Sequence, residues 1–163
     1  MKKIPFILSL IFIISFSFVS CSSDSAGDVS NGEDVANNPN ISYEIEIMNL
    51  INAHRVSKGL AKLEMLAAIK TQTALHTDYM IKKGKISHDL LNQRSEYLKK
   101  NANAKSIAEN VASGYATANT VVTGWLNSTG HRENIEGNYT HFELTAKQNA
   151  SGKWYYTNIF IKK

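Results

Sequence analysis

From residue 42 onward the inward positions recur with the period of a helix. Ile47, Leu50, Ile51 and His54 fall at i, i+3, i+4 and i+7, with Ser42 as N-cap and Glu44 and Glu46 in the first turn. Lys58, Gly59 and Leu60 supply a basic last turn, a C′ glycine and the apolar residue that a Schellman ending uses. A second helix is predicted over 63–83, with Leu66, Ile69, Thr73, His76 and Met80 on one stripe and Gly84 as its stop. A third begins at Asp89 and carries Leu90, Leu91, Arg94, Tyr97 and Leu98, and a polar loop follows over 101–105. Residues 107–114 form a short strand candidate. A fourth helix, capped by Thr117 or Asn119, turns Val121, Val122, Trp125 and Leu126 inward and is broken at Gly130. The chain closes on a β-hairpin, strands over 140–147 and 154–161 around a turn at 149–152. Helices first and strands late argue for an α+β fold, an antiparallel sheet covered by helices.

The N-terminal pattern is different. Met1, Lys2 and Lys3 precede an almost wholly apolar run over 4–19, too short and wrongly flanked for a membrane span, so residues 1–20 read as a secretory signal. Cys21, the only cysteine, follows directly, and a small residue before a cysteine at that place resembles the lipobox of bacterial lipoproteins. The resemblance implies that Cys21 becomes a lipidated N-terminus that anchors the chain to a membrane without spanning it; an ordinary signal followed by a free thiol is the alternative. Residues 21–41 are rich in Ser, Asp, Asn and Gly and read as a flexible tether, which leaves 42–163 as the domain.

Composition narrows the classes. The net charge is +4, and loss of Lys2 and Lys3 leaves about +2, with no dense basic cluster, so a nucleic-acid partner is not expected. A single cysteine allows no internal disulfide, and stability has to come from a packed core of roughly 120 residues, expected as a monomer.

Of the five histidines, His54 and His76 lie on helix stripes and read as packed, hydrogen-bonded core residues, and His141 can face either way. His88 and His131 each follow a glycine-containing break, where imidazoles reach the rim of a scaffold. Trp125 reads as core, Arg132 as a tie for its loop, and Asn110 and Asn134 as loop-fixing amides.

Six short motifs occur in one order: Asn52-Ala53-His54-Arg55, Gly59-Leu60, Leu75-His76-Thr77-Asp78-Tyr79-Met80, Ser87-His88, Ala108-Glu109-Asn110-Val111-Ala112 and Trp125-Leu126-Asn127-Ser128-Thr129-Gly130-His131-Arg132-Glu133-Asn134-Ile135. Together they resemble the CAP superfamily of cysteine-rich secretory, antigen-like and pathogenesis-related proteins, over about residues 42–161. The resemblance implies a three-layer α-β-α sandwich with a central antiparallel sheet flanked by helices, and a cleft lined by two histidines and two acids. By motif position these are His88, Glu109, Ser128 and His131, with Ser128 standing where fuller tetrads carry the second acid. Thr129 stands where many relatives have proline.

Two neutral imidazoles, His88 and His131, can share a Zn²⁺ or similar ion weakly, with Glu109 fixing a tautomer or orienting a water. The resulting expectation is a lipid-anchored envelope protein that acts by binding a metal and a lipid or protein ligand. The alternative is a metal-assisted or general-base hydrolase of the cell envelope using Glu109 or His131. Ser128 as nucleophile lacks the surrounding elbow sequence.

Overall fold

The computed structural model describes residues 39–163, so the predicted signal, Cys21 and most of the tether lie outside the described residues. The elements in chain order are α1 (Pro39–Ser57), β1 (Glu64–Met65), α2 (Ala67–Lys83), α3 (Leu91–Ala102), β2 (Ser106–Ser113), α4 (Ala118–Leu126), α5 (Thr129–Glu136), β3 (His141–Gln148) and β4 (Trp154–Lys162). The sheet runs β1-β3-β4-β2. β4 pairs antiparallel with both β2 and β3, and only the short β1 runs parallel, beside β3.

The central strand explains the layering. β4 is buried from Tyr155 to Ile161, so it shows no polar face, as a strand covered on both sides should. Its side chains still alternate. Tyr156 and Phe160 pack with Ile47 and Ile51 of α1, Trp125 of α4 and Ile135 of α5. Ile159 and Ile161 pack with Ile69 of α2 and Leu98 of α3, and Tyr155 with Met80 of α2. The result is helices on both faces of one sheet, a three-layer sandwich.

On the α2 face the contact is partly hydroxylic. Thr73 Oγ1 meets Thr145 Oγ1 at 2.8 Å, and Thr77 Oγ1 donates to Thr157 Oγ1 at 2.8 Å, which satisfies polar groups that burial would otherwise leave unpaired.

Among the described residues, no strand beyond the two residues of β1 lies beside the outer edge of β3. Glu44 of α1 accepts the Ala146 N–H at 2.9 Å, Lys70 of α2 donates to the Leu144 carbonyl at 2.7 Å, and the two side chains form an ion pair. An open edge thus becomes a clamp between α1 and α2.

Several boundaries differ from the sequence expectation. α1 already includes Pro39 to Ile41, so Ser42 lies inside the helix rather than at its N-cap. Glu44 is therefore past the first turn, and its charge serves the β3 edge instead. α2 begins at Ala67 rather than 63, because Glu64 and Met65 are drawn into pairing with His141 and Phe142. α3 begins at Leu91 rather than Asp89, since Leu90 takes φ +61°, which no α-helix accommodates. It then runs into the predicted polar loop as far as Ala102, because Ala102 and Ala104 are buried against Leu98. Thr117, not Asn119, caps α4, with Thr120 completing the capping box. Gly130 does not end structure: it sits inside the unpredicted α5, whose N-cap position is Ser128.

One buried acid gives the fold a pH signature. Glu143 of β3 is 7% exposed, and burial, reinforced by Glu44, pushes its carboxyl up to about 7 against the pull of Lys70 and the Leu144 and Leu66 amides. Between its ordinary 4.5 and about 7 the folded chain therefore holds more protons than the unfolded chain, and stability falls as pH rises through that window. Glu143→Gln is expected to gain about 2–3 kcal/mol on the parent chain between pH 5 and pH 8. Urea denaturation at the two pH values measures this, and an unchanged difference refutes it.

Candidate functional site

β2 is an edge strand, and consecutive residues on it face opposite layers. Glu109 points toward α2 and α3, and Asn110 toward α5. Through this pair one strand holds both halves of the site.

On the first side, the Glu109 side chain has no exposure to solvent. Arg94 of α3 grips it as a fork, Nε donating to Oε2 and Nη2 to Oε1, both at 2.8 Å. The third Arg94 nitrogen, Nη1, donates to the Asp89 carbonyl at 2.8 Å, so the same guanidinium pins the loop that carries His88. His88 Nδ1–H donates to Glu109 Oε1 at 2.9 Å, and its side chain is half exposed. Its Nε2 therefore remains uncommitted on the outer part of the ring. Two further contacts fix this loop. His76 Nε2–H donates to the Ser87 carbonyl at 2.7 Å, and Asp89 accepts from the Tyr79 hydroxyl at 2.7 Å and pairs with Lys83. The hydrogen bond from Lys83, with that from Tyr79, holds the Asp89 carboxyl at about 2.

On the second side, Asn110 Nδ2 donates to the His131 carbonyl at 3.0 Å, and Asn134 Nδ2 donates to Asn110 Oδ1 at 2.9 Å. Arg132 Nη1 donates to the Leu126 carbonyl at 2.9 Å. These bonds set the first turns of α5, and with them the His131 ring. Burial, together with the neighbouring His88, holds the His131 imidazole below its ordinary range, so it is a neutral base near pH 7. Ser128 and His131 line one groove with Ile86, Val111 and Trp125. The Ser128 hydroxyl makes no capping bond to α5.

The predicted set is thus joined in three ways: His88 and Glu109 by a direct bond, His131 through Asn110, and Ser128 by sharing the His131 groove. Two residues of the network were not in that set. Arg94 lies 5% exposed on the inward stripe of α3, where a buried guanidinium requires a buried anion. His76 is core, as expected, yet it also stands 3.8 Å from Glu109 Oε1, and burial outweighs that acid to hold its imidazole below the ordinary range. Among the other histidines, His54 pairs with Glu136 at 2.8 Å, tying α1 to α5, and His141 contacts Thr140 and Glu64 at the sheet edge.

The donor set suits a metal only incompletely. Among the described residues no group of three or more His, Cys, Asp or Glu side chains gathers to hold an ion. Glu109 is unsuited as a ligand because both its oxygens are already hydrogen-bonded.

The sequence profile of the cysteine-rich secretory protein family, CAP, matches residues 48–160. This chain belongs to the CAP family. A Bacillus subtilis protein, the membrane protein YlbC, is 32% identical over 126 residues, covering 74% of this chain and 34% of that one. YkwD of the same organism is 30% identical over 125 residues, covering 74% and 48%. The match with this CAP chain therefore spans about a third to a half of those relatives. A cysteine-rich secretory protein of Staphylococcus aureus superposes with a TM-score of 0.67 at 22% identity, over 78% of this chain and 40% of that one. An outer surface protein of Borrelia burgdorferi gives 0.65 at 21%, over 72% and 90%. A Bacillus anthracis extracellular protein containing an SCP domain gives 0.67 at 22%, over 85% and 45%. These structures share the α-β-α sandwich.

The fork on Glu109 makes a stability prediction. Arg94→Met leaves a buried carboxylate without its partner and is expected to cost about 3–5 kcal/mol. Adding Glu109→Gln should recover part of that loss, a coupling that a double-mutant cycle in urea measures. Strictly additive losses would show that the pair does not interact.

Proposed function

We propose that this CAP domain works outside the cytoplasm as a binding module, held at the cell envelope by a lipid on Cys21. Its cleft, formed by His88, Glu109, Ser128 and His131, presents imidazole nitrogens to a ligand and holds a divalent ion such as Zn²⁺ weakly. The observation that carries the reading is the burial and pairing of Glu109. Its side chain has no exposure to solvent, both oxygens are bonded to Arg94 and one also to His88, so it faces its own partners rather than a substrate and serves to orient His88. A carboxylate on one ring nitrogen of a histidine is the arrangement that directs the other nitrogen toward a ligand. The hydrolase alternative loses its carboxylate base and is left with His131 alone. The apolar leader and Cys21 support the location, as do relatives described as a membrane protein, an outer surface protein and an extracellular protein.

In such a site His88 Nε2 and the His131 ring would be the protein ligands, and the ion would supply Lewis acidity toward an oxygen donor. Two protein ligands make an incomplete shell for zinc, so affinity should be about 1 µM or weaker. Calorimetric titration of Zn²⁺ into the chain is expected to give saturable heat that His88→Ala/His131→Ala removes. Heat that is absent in the parent, or equal in the double variant, refutes the metal reading.

A further inference from the structure

Next to the His131 groove, along the outer face of α4, lies a larger groove of about 590 Å³, and the two share Tyr115, Gly124 and Ser128 in their linings. That volume is within the roughly 300–1,000 Å³ of small-ligand sites. The floor is built from two helical rows at four-residue spacing. Asn119, Thr123 and Asn127 form one, and Thr120, Gly124 and Ser128 the other.

Glycine in the second row has a definite steric role. The Tyr115 ring lies against α4 at Gly124, and a Cβ there would come within 2.4 Å of the phenolic oxygen. Gly124 thus lets a 36% exposed aromatic plate form one wall of the groove. The first row is polar and unused: among the described residues the Asn119, Thr123 and Asn127 side chains find no hydrogen-bond partner, and all three are exposed.

From this lining we infer that the α4 groove is a binding site for a neutral oligosaccharide. A pyranose ring offers one face of C–H bonds, which stacks on an aromatic plate such as Tyr115, and a rim of hydroxyls, which bonds amide and hydroxyl side chains. No Lys, Arg, Asp or Glu lines the cavity along α4, so a charged ligand meets no countercharge there. An acyl chain fits less well, because hydrocarbon lying over Asn119, Thr123 and Asn127 would displace water from their polar groups and return no hydrogen bond. The inference rests on the reading of the domain as a binding module and does not depend on a metal.

The test is titration of the full chain with cellotetraose, chitotetraose and maltotetraose, with dodecanoate as the apolar probe and EDTA present throughout. At least one tetrasaccharide is expected to bind with Kd of about 1 mM or tighter. Gly124→Ala, which drives Tyr115 off the helix while improving helix propensity, should weaken that binding about tenfold or more with no loss of thermal stability. Asn127→Ala should weaken it too. The proposal is overturned if none of the three sugars binds, if Gly124→Ala binds the sugar as the parent does, or if dodecanoate alone binds. Because the sugar titrations are metal-free and the zinc titration is sugar-free, either reading can fail without the other.

Discussion

The Glu109 carboxylate has no contact with solvent, and a lone carboxylate in that position would be penalised by several kcal/mol. The Arg94 fork removes the problem and fixes much else as a consequence. A guanidinium is planar, so engaging both carboxylate oxygens sets the rotation of α3 relative to β2. Its remaining nitrogen then holds the Asp89 carbonyl, and the His88 loop has little freedom left. Leu90 takes a left-handed backbone angle, which is unfavourable for a leucine and persists where surrounding contacts over-determine it. Those contacts are Arg94 on the Asp89 carbonyl, Tyr79 and Lys83 on the Asp89 carboxylate, and His76 on Ser87.

The two edges of the sheet are managed in contrasting ways. On the β3 side, where β1 is too short to cover it, the Glu44–Lys70 pair occupies exposed backbone groups and closes the edge. On the β2 side the edge carries the candidate site. Side chains leave it alternately for the two helical layers, so Glu109 and Asn110, adjacent in sequence, each anchor one histidine from opposite sides. Strand geometry, together with the pinned loop that carries His88, thus brings His88 and His131 to the same edge.

Much of this was legible in the sequence, and the losses have physical causes. The 3.6-residue spacing of inward positions in α1 and α2 and the β-branched, aromatic hairpin located the layers, although several of the buried helix positions are polar. α5 was missed because its eight residues, Thr129 to Glu136, bury only Ile135 and carry glycine at the second position, so propensity favoured a break. β1 was missed because two residues carry no period, and its existence depends on pairing with His141 and Phe142, far beyond any local window. In the site, the ordered motifs led to His88, Glu109 and His131 without indicating that Glu109 would be buried and paired. The clue was Arg94 on an inward stripe between Leu91 and Leu98: an arginine there has to meet an anion, and the sequence offers few that could be equally buried.

Ser128 connects these points. An acid at this position would put a charge at the junction of the cleft and the α4 groove, beside Tyr115 and Gly124 and in the same groove as His131. It would draw protons toward His131 and raise that imidazole, opposing the effect of burial and of His88. With serine, His131 stays a neutral base and the surface from Asn119 to the cleft is polar without carrying charge. The buried Glu109 is already neutralised by Arg94, so it does not restore what Ser128 lacks. Serine at one position and the buried ion pair at the other therefore act in the same direction, and both favour the proposed binding module over an acid/base pair.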